Sequence, residues 1–261
     1  MIVRKTAAEI DKMAAAGEIL VKTLSLVEGR IRPGVTTAEL DETAERFIRS
    51  QGAVPVFKGY RGFPGSICAS PNDMVVHGIP GSYKLQKGDV IAIDVGVQLD
   101  GWVADAARTF AVGEITDEAQ HLLDVTEASL FAAIEKVQVG NRIGDISNAV
   151  QTKVEGAGLS VVNGLVGHGV GREMHEPPEV PNQGPAGKGP KLEEGMVIAI
   201  EPMVSTGSPG IVVADDDWSV HTVDGSLSAH FEFTVAVTSE GPRVLTPWHR
   251  RNDEGNGGES A

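Results

Sequence analysis

The segments KLQKGDVIAIDVGV, residues 84–97, and KLEEGMVIAIEPMV, residues 191–204, are two copies of one sequence. Each copy places a carboxylate, Asp94 or Glu201, inside an apolar run. Strand-like runs of this kind usually exclude acids, because a buried carboxylate without a partner loses much of its hydration free energy. The repeat therefore predicts a duplicated fold and a functional site built around buried acids.

A pair of helices is predicted before each copy. Thr-x-x-Glu capping boxes open the first two helices, and periodic apolar positions define the second two. The predicted helices span residues 6–27, 36–51, 116–137 and 144–155. Because the helix pair recurs along with the strand, the pattern predicts a pseudo-twofold α+β domain over residues 1–250. We expect its halves at about 1–112 and 113–250, followed by a disordered polar tail over residues 251–261.

Two proline- and glycine-rich segments break the symmetry. Residues 55–71 have no counterpart in the second half, and residues 177–190 have none in the first. Proline removes backbone donors and glycine tolerates turns, so neither segment is expected to form regular secondary structure. Such divergent loops commonly carry specificity.

Composition limits the partners of the chain. The 36 acidic and 22 basic residues give a net charge of −14, which argues against nucleic acid or an anionic membrane as the main partner. Cys68 is the one cysteine, so an intrachain disulfide and a zinc finger are excluded. No apolar run approaches the roughly 20 residues of a membrane span. These features predict a soluble, cytoplasmic protein.

Alternation along the strands assigns four acids to one kind of face. Asp94 and Glu201 share their faces with small residues, and Asp105 and Glu232 repeat this pattern on the following strands. If the halves pair about a twofold axis, the four acids converge on one pocket. Their repulsion would then raise their pKa values unless cations neutralise them. A single acid in a strand is more often a surface residue, but four at repeat-related positions favour a site.

Three histidines lie in glycine-containing or acidic surroundings: His77 in VVHGIP, His168 in VGHGVG and His175 in REMHEPP. A lone histidine beside glycine is more often a turn or core residue than a ligand, but beside four acids at least one should be a ligand. Carboxylates with one imidazole favour Mn, Fe or Co. The glycine-rich segment GHGVGR lacks the strand, helix and distal acid that accompany a nucleotide-binding loop. Four other histidines are interpreted as structural or exposed: His121, His221, His230 and His249.

The motifs around these residues resemble the type I methionine aminopeptidases of the short bacterial kind, over about residues 2–248. The segments that carry the resemblance are NDMVVHGIP, IAIDVGVQLDGWVADAARTF, GHGVGREMHEPPEVPN, IAIEPMV and DWSVHTVDGSLSAHFEFTVAV. The resemblance implies the pita-bread fold, an antiparallel sheet backed by helices with an internal pseudo-twofold repeat. It also implies a hydrolase that removes the initiator methionine from nascent proteins whose second residue is small.

The resemblance implies a role for each site residue. Two divalent ions, Co, Mn, Fe or Zn, would be held by Asp94, Asp105, His168, Glu201 and Glu232. Glu201 would also carry a proton to the leaving amine, while His175 stabilises the oxyanion and His77 contacts the scissile amide nitrogen. Together with these two histidines, an apolar pocket would bind the methionine side chain. Its residues would be Tyr60, Phe63, Cys68, Met174 and Trp218.

Two other hypotheses for the function remain open. One is a proline-specific peptidase or creatinase relative with the same fold, and the other is a pita-bread binding protein without catalysis. The family implies a monomer that acts on nascent polypeptide N-termini. Transient ribosome contact could use the basic pair Arg4 and Lys5, although charge runs this short are usually only solvated.

Overall fold

The protein folds into four α-helices, one short 3-10 helix (Tyr60–Gly62) and fifteen strands over the part of the chain described, residues 1–249 of a computed structural model. The predicted tail, residues 251–261, lies outside the described residues. The helices are α1 (Ala7–Glu28), α2 (Thr37–Ser50), α3 (Asp117–Ile134) and α4 (Ile143–Gly156). All four agree with the predicted helices to within about one turn.

The capping boxes explain where the first two helices begin. The Thr6 hydroxyl accepts the backbone N–H of Glu9, and the Glu9 carboxylate accepts the backbone N–H of Thr6 at 2.8 Å. Thr36 and Glu39 make the same pair of contacts at α2. These bonds satisfy backbone donors that the first turn of a helix leaves unpaired.

Over residues 1–249 the strands form four antiparallel sheets. In the first half they are β1 (Val54–Pro55), β2 (Cys68–Pro71), β3 (Met74–Val76), β4 (Val90–Leu99) and β5 (Trp102–Ala111). In the second half they are β6 (Ser160–Val161), β7 (Val166–Gly169), β8 (Glu176–Pro181), β9 (Val197–Ile200), β10 (Met203–Ser205), β11 (Ile211–Val213), β12 (Val220–Thr222), β13 (Ser228–His230), β14 (Phe233–Thr238) and β15 (Gly241–Val244).

The two halves share local geometry at matching positions. Gly34 and Gly140 both adopt positive φ, and their N–H groups donate to the carbonyls of Leu85 and Leu192 at 2.7 and 3.0 Å. A positive φ favours glycine because it has no Cβ. The repeat read from the sequence is therefore a repeat of structure, while the chain boundary between the halves stays a prediction.

The central hairpin differs between the halves. β4 and β5 are continuous through Asp94 and Asp105, whereas the second half divides the same hairpin into β9 with β10 and β13 with β14. The breaks fall at Glu201 and Glu232 themselves. Pro202 has no backbone N–H and cannot continue a strand ladder, which accounts for the break after β9.

The core lies between the helices and one face of the strands. Bulky residues from β4 and β9, including Ile91, Ile93, Ile198 and Ile200, are fully buried in one large cluster with the apolar sides of the helices. The opposite strand faces carry Ala92, Ala199 and the acids. This confirms the face assignment made from alternation, and it leaves space beside the acids.

The prediction that both proline-rich segments lack regular structure was wrong. Cys68–Pro71 and Glu176–Pro181 are strands β2 and β8. β8 lies at the edge of its sheet, where a proline can sit without removing a ladder hydrogen bond from the interior.

The suggestion that Arg4 and Lys5 form a solvated basic pair was also wrong for Lys5. Its Nζ lies 2.7 Å from Glu176 Oε2, and the Lys5 side chain is 2% exposed. The other Glu176 oxygen accepts the backbone N–H of Arg172 at 2.8 Å. Lys5 therefore anchors the amino-terminal segment to the turn that carries Met174 and His175.

No helix within residues 1–249 has the length and apolar character required to cross a membrane.

Candidate metal centre

Every residue predicted for the site lines one cavity of about 210 Å³ between the two halves. The proposed metal-binding residues there are Asp94, Asp105, His168, Glu201 and Glu232, and the proposed substrate-binding residues are Tyr60, Phe63, Cys68, His77, Met174, His175 and Trp218. Further residues that line it were not predicted, among them Phe57, Arg61 and His230. The convergence that the repeat suggested is thus present in the fold.

The four acids meet without a lysine or arginine to pair with. Across residues 1–249, the basic groups within 4 Å of these carboxylates are imidazoles: His168 Nε2 lies 3.7 Å from Asp105 Oδ2 and 3.5 Å from Glu201 Oε1. One buried oxygen each of Asp94, Asp105 and Glu232 has no hydrogen-bond partner. Buried carboxylate oxygens are costly when unpaired, so this cluster is arranged to receive positive charge.

Burial governs the ionisation of these acids. It raises the pKa of Asp94 to about 7, and it raises the pKa values of Asp105, Glu201 and Glu232 well above their usual range. For Asp105, repulsion by Glu232 and Asp94 raises the pKa further. Burial therefore favours the protonated form of each acid unless a cation neutralises the charge of the carboxylate.

Two threonines hold the acid-bearing strands of the halves together. The Thr234 hydroxyl donates to the Asp105 carbonyl at 2.7 Å and accepts the Asp105 N–H at 3.0 Å. Thr109 makes the same two contacts, each 2.9 Å, with the backbone of His230. Between them, the Glu232 N–H donates to the Ala107 carbonyl at 2.9 Å. We call this contact between residues 105–109 and residues 230–234 the seam. It holds the backbones of Asp105 and Glu232, one acid from each half, next to each other.

The histidines sit at different distances from the acids. His168 Nδ1 contacts the Gly169 carbonyl at 2.9 Å, which leaves Nε2 facing the carboxylates. The His175 ring lies 4.2 Å from the His168 ring, centroid to centroid, and its Nδ1 is 2.8 Å from the Tyr60 hydroxyl. Burial lowers the pKa of His175 to about 4, so its ring is neutral at pH 7.

An apolar pocket adjoins the acids. Cys68 pairs with Asp94 across β2 and β4, and burial raises the pKa of its thiol, so the side chain acts as a small neutral wall. The Phe63 and Trp218 rings meet edge to face at 5.1 Å. A Cβ at Gly96 would lie 2.9 Å from Phe57 Cε1, so the absence of a side chain there keeps this wall in place.

Of the two interpretations given for His230, exposed was wrong, and structural stays a prediction. Its side chain is 2% exposed, lines the cavity, and lies 3.7 Å from Glu201 Oε2 and 3.9 Å from Glu232 Oε2. The sequence held one usable signal. Side chains two residues apart in an extended chain point to the same side, so His230 is expected on the same face as Glu232 and Thr234.

Residues 11–239 match the sequence profile of metallopeptidase family M24. The chain belongs to metallopeptidase family M24. Methionine aminopeptidase from Clostridium perfringens is 56% identical over 94% of this chain and 99% of its own length. The crystal structure of methionine aminopeptidase from Rickettsia prowazekii superposes with a TM-score of 0.93 at 40% identity, covering 94% of this chain and all of that one. The resemblance seen in the sequence is confirmed.

The pita-bread fold of family M24 is also found in a more distant structure. Prolidase from Pyrococcus furiosus has a TM-score of 0.77 at 22% identity, with 94% of this chain and 65% of that chain covered. At this identity the likeness concerns the fold alone. The fold class predicted from the repeat is therefore confirmed.

The residues present in this M24 cavity fit a divalent metal ion. One donor atom each from Asp105, His168 and Glu232 lies within 4.8 Å of the others, and all three residues are buried. The unpartnered carboxylate oxygens supply further donors. Oxygen-rich donor sets with an imidazole suit Mn, Fe or Co better than sulfur-preferring ions.

Metal binding to this M24 site should release protons. Since burial raises the pKa of Asp94 to about 7 and those of its neighbours above their usual range, a cation must displace protons that the metal-free site holds. We expect Mn²⁺ affinity to fall as the pH drops below about 7. Calorimetric titrations at pH 7 in two buffers of different ionisation enthalpy should report net proton release. Equal heats in both buffers would contradict this expectation.

Proposed function

We propose that this chain removes the initiator methionine from nascent polypeptides whose second residue is small, with residues 1–250 acting as one catalytic unit in the cytoplasm. The carrying observation is one cavity in which an unneutralised acid cluster adjoins a small apolar pocket. At about 210 Å³ it is smaller than the roughly 300–1,000 Å³ of drug-sized pockets. A cavity of that size admits one substrate side chain.

Two divalent ions are the proposed cofactors, with Asp94, Asp105, His168, Glu201 and Glu232 as their ligands. Asp105 and Glu232 would act together in holding the ions, because the seam between the halves holds their backbones side by side. When bound, the ions would polarise the scissile carbonyl and neutralise the developing negative charge.

Three side chains carry the remaining chemistry in this proposal. Glu201 is buried beside His168, where a carboxyl with a raised pKa can hold a proton for the leaving amine. His175 is neutral, and with its Nδ1 facing the Tyr60 hydroxyl it can present Nε2–H to an oxyanion. His77 lines the same cavity, where it would contact the scissile amide nitrogen.

The apolar pocket explains the proposed preference for methionine. Phe63, Cys68, Met174 and Trp218 present a thiol, a thioether and aromatic edges, which suit an unbranched thioether side chain. None of these four side chains carries a charge that could pair with a lysine or glutamate side chain. A relative named methionine aminopeptidase, 56% identical over nearly the whole chain, supports the same substrate.

Partners follow from this reaction. The substrates would be nascent N-termini, with neither a specific nucleic acid nor a membrane as partner, and the enzyme would act as a monomer. Any transient ribosome contact would need a surface other than Lys5, whose charge is buried against Glu176.

The decisive assay compares three peptides with the metal-loaded protein. We expect Met-Ala-Ser to lose its methionine in the presence of Mn²⁺, Fe²⁺ or Co²⁺, while Ala-Pro-Ser and N-acetylated Met-Ala-Ser remain intact. Chelation should abolish the activity, and returning the metal should restore it. Preferential cleavage of Ala-Pro-Ser would identify a proline-specific peptidase instead. Metal binding without cleavage of any peptide would identify a non-catalytic binding protein.

A further inference from the structure

His230 is an imidazole without a hydrogen-bond partner for its ring, within the chain segment 1–249. The side chain is 2% exposed, and both ring nitrogens are buried and unpaired. An imidazole carries at least one N–H in every protonation state, and buried N–H groups without an acceptor are rare. A buried imidazole that lines the proposed metal cavity without a hydrogen-bond partner is therefore a candidate for a function in that cavity.

Hydrogen bonds to the backbone of His230, and not to its ring, hold the residue in place. Thr109 of the opposite half both donates to the His230 carbonyl and accepts its N–H, each at 2.9 Å. The same seam continues to Glu232, whose N–H donates to the Ala107 carbonyl. The ring and the Glu232 carboxylate are therefore carried on one clamped segment.

Carboxylate oxygens of two proposed ligands lie close to the ring. His230 Nε2 lies 3.7 Å from Glu201 Oε2 and 3.9 Å from Glu232 Oε2. These separations slightly exceed a hydrogen bond and are too short for a water molecule to stand between the atoms. On the other side, Glu201 Oε1 faces His168 Nε2 at 3.5 Å. Two imidazoles thus flank Glu201, one beside each oxygen.

The two imidazoles are arranged differently. His168 has its Nδ1 against the Gly169 carbonyl, the usual arrangement of a ligating histidine, whose second nitrogen donates to a nearby oxygen. His230 has no such acceptor at Nδ1. If its Nε2 lone pair bound a cation, the ring proton would be left on Nδ1 without a partner. A proton on Nε2, in contrast, faces two carboxylates.

We propose that His230 is a positioning residue of the metal centre, whose Nε2–H donates to Glu201 Oε2 and holds Oε1 toward His168. This inference rests on the proposed function, in which Glu201 both binds metal and carries a proton. A carboxylate held in its binding orientation loses less conformational freedom when the cation arrives. His230 would therefore increase metal affinity without itself binding the ion.

The test compares substitutions that keep or remove the donor. Gln places its amide nitrogen near the position of the histidine Nε2, whereas Leu fills similar space without a donor. In calorimetric titrations of metal-free protein with MnCl₂, we expect His230→Leu to lower the affinity roughly 10- to 100-fold, as for other outer partners of ligands. His230→Gln should stay within about threefold of the unsubstituted protein. His221→Gln, outside the cavity and paired with Asp73, serves as the control.

X-ray absorption spectra of the Mn-loaded proteins separate positioning from ligation. The number of imidazoles bound to metal should be the same in the unsubstituted protein and in His230→Gln. Loss of one imidazole in the variant, or equal loss of affinity in the Gln and Leu variants, would overturn the proposal in favour of direct ligation. Unchanged affinity in His230→Leu would overturn it as well.

A second comparison applies if the Leu variant does not fold by circular dichroism. His230→Asn keeps a polar side chain, but its amide nitrogen corresponds to Nδ1 and falls short of Glu201. A Gln variant that binds Mn²⁺ at least tenfold more tightly than the Asn variant supports the donor role, and equal affinities contradict it. These readouts involve no peptide, so a failure of the proposed peptidase activity would be seen separately, in the unsubstituted protein.

Discussion

Asp105→Asn should lower kcat/KM for methionine removal by at least about 10³-fold, since metal ions supply several kcal/mol of transition-state stabilisation that this residue helps to place. The reason is local. Asp105 is buried at one end of the seam, with one oxygen unpartnered and the other 3.7 Å from His168 Nε2. An amide of the same shape would remove a charged donor from the proposed ligand set of the ions. Glu232→Gln is expected to have the same effect.

Folding should survive the Asp105→Asn substitution. In the metal-free protein the pKa of Asp105 lies well above its usual value because of burial and the nearby Glu232 and Asp94. The folded state then binds a proton that the unfolded chain releases, so this group loses stabilising effect as the pH rises through its folded pKa. Asn cannot ionise. The metal-free variant should therefore be at least as stable at pH 7 as the unsubstituted protein.

Thermal unfolding and Mn²⁺ titration, alongside the peptide assay, test this prediction. Glu118→Gln, an exposed acid on α3, is the matched control and should leave activity and metal affinity unchanged. An Asp105→Asn protein that folds and retains most of its activity would contradict the proposed metal role. So would full activity of the unsubstituted protein after chelation of its metal.

Lys5→Met should reduce the free energy of unfolding by about 3–5 kcal/mol, the usual cost of removing one partner from a buried ion pair. For a chain of this length that corresponds to a fall in Tm of roughly 6–20 °C. The substitution leaves the Glu176 carboxylate, 11% exposed, without its cation. There is little room to rearrange, because a Cβ at neighbouring Gly171 would already lie 2.7 Å from Lys5 Cε.

Two comparisons make the Lys5 result specific. Arg4→Met removes the neighbouring pair with Glu193, whose side chains are 57% and 54% exposed, and should cost at most about 1 kcal/mol. The double variant Lys5→Met with Glu176→Gln should recover part of the stability, because the glutamine carbonyl can still accept the Arg172 N–H and no charge remains buried. Equal losses for Arg4→Met and Lys5→Met would show that burial of the Lys5–Glu176 pair contributes nothing.

The sequence predicted those features that depend on local chemistry and on period. Thr6 with Glu9 and Thr36 with Glu39 define helix starts, because a capping box satisfies backbone donors within four residues. Alternation assigned Asp94 and Glu201 to the face away from the helices, because successive strand side chains point to opposite sides. Duplication then implied that the acids meet, and they do line one cavity.

The features that were missed depend on contacts between distant segments. Lys5 reads as a solvated charge because its partner, Glu176, belongs to the other half of the chain. β8 forms despite its prolines because it lies at a sheet edge, and edge position follows from the order of strands in space.

By itself, the sequence determined the helices, the repeat and the identity of the acids that face one another. Helix caps and the spacing of apolar residues depend on neighbours a few positions away, and the duplication can be seen by comparing the two halves of the sequence. Only the tertiary structure decided how deep the acids lie and which bases accompany them. Burial withdraws water from Asp94, Asp105, Glu201 and Glu232 and raises their pKa values. The seam made by Thr109 and Thr234 brings His230 to Glu201, and such proximity arises only when the two halves pack together.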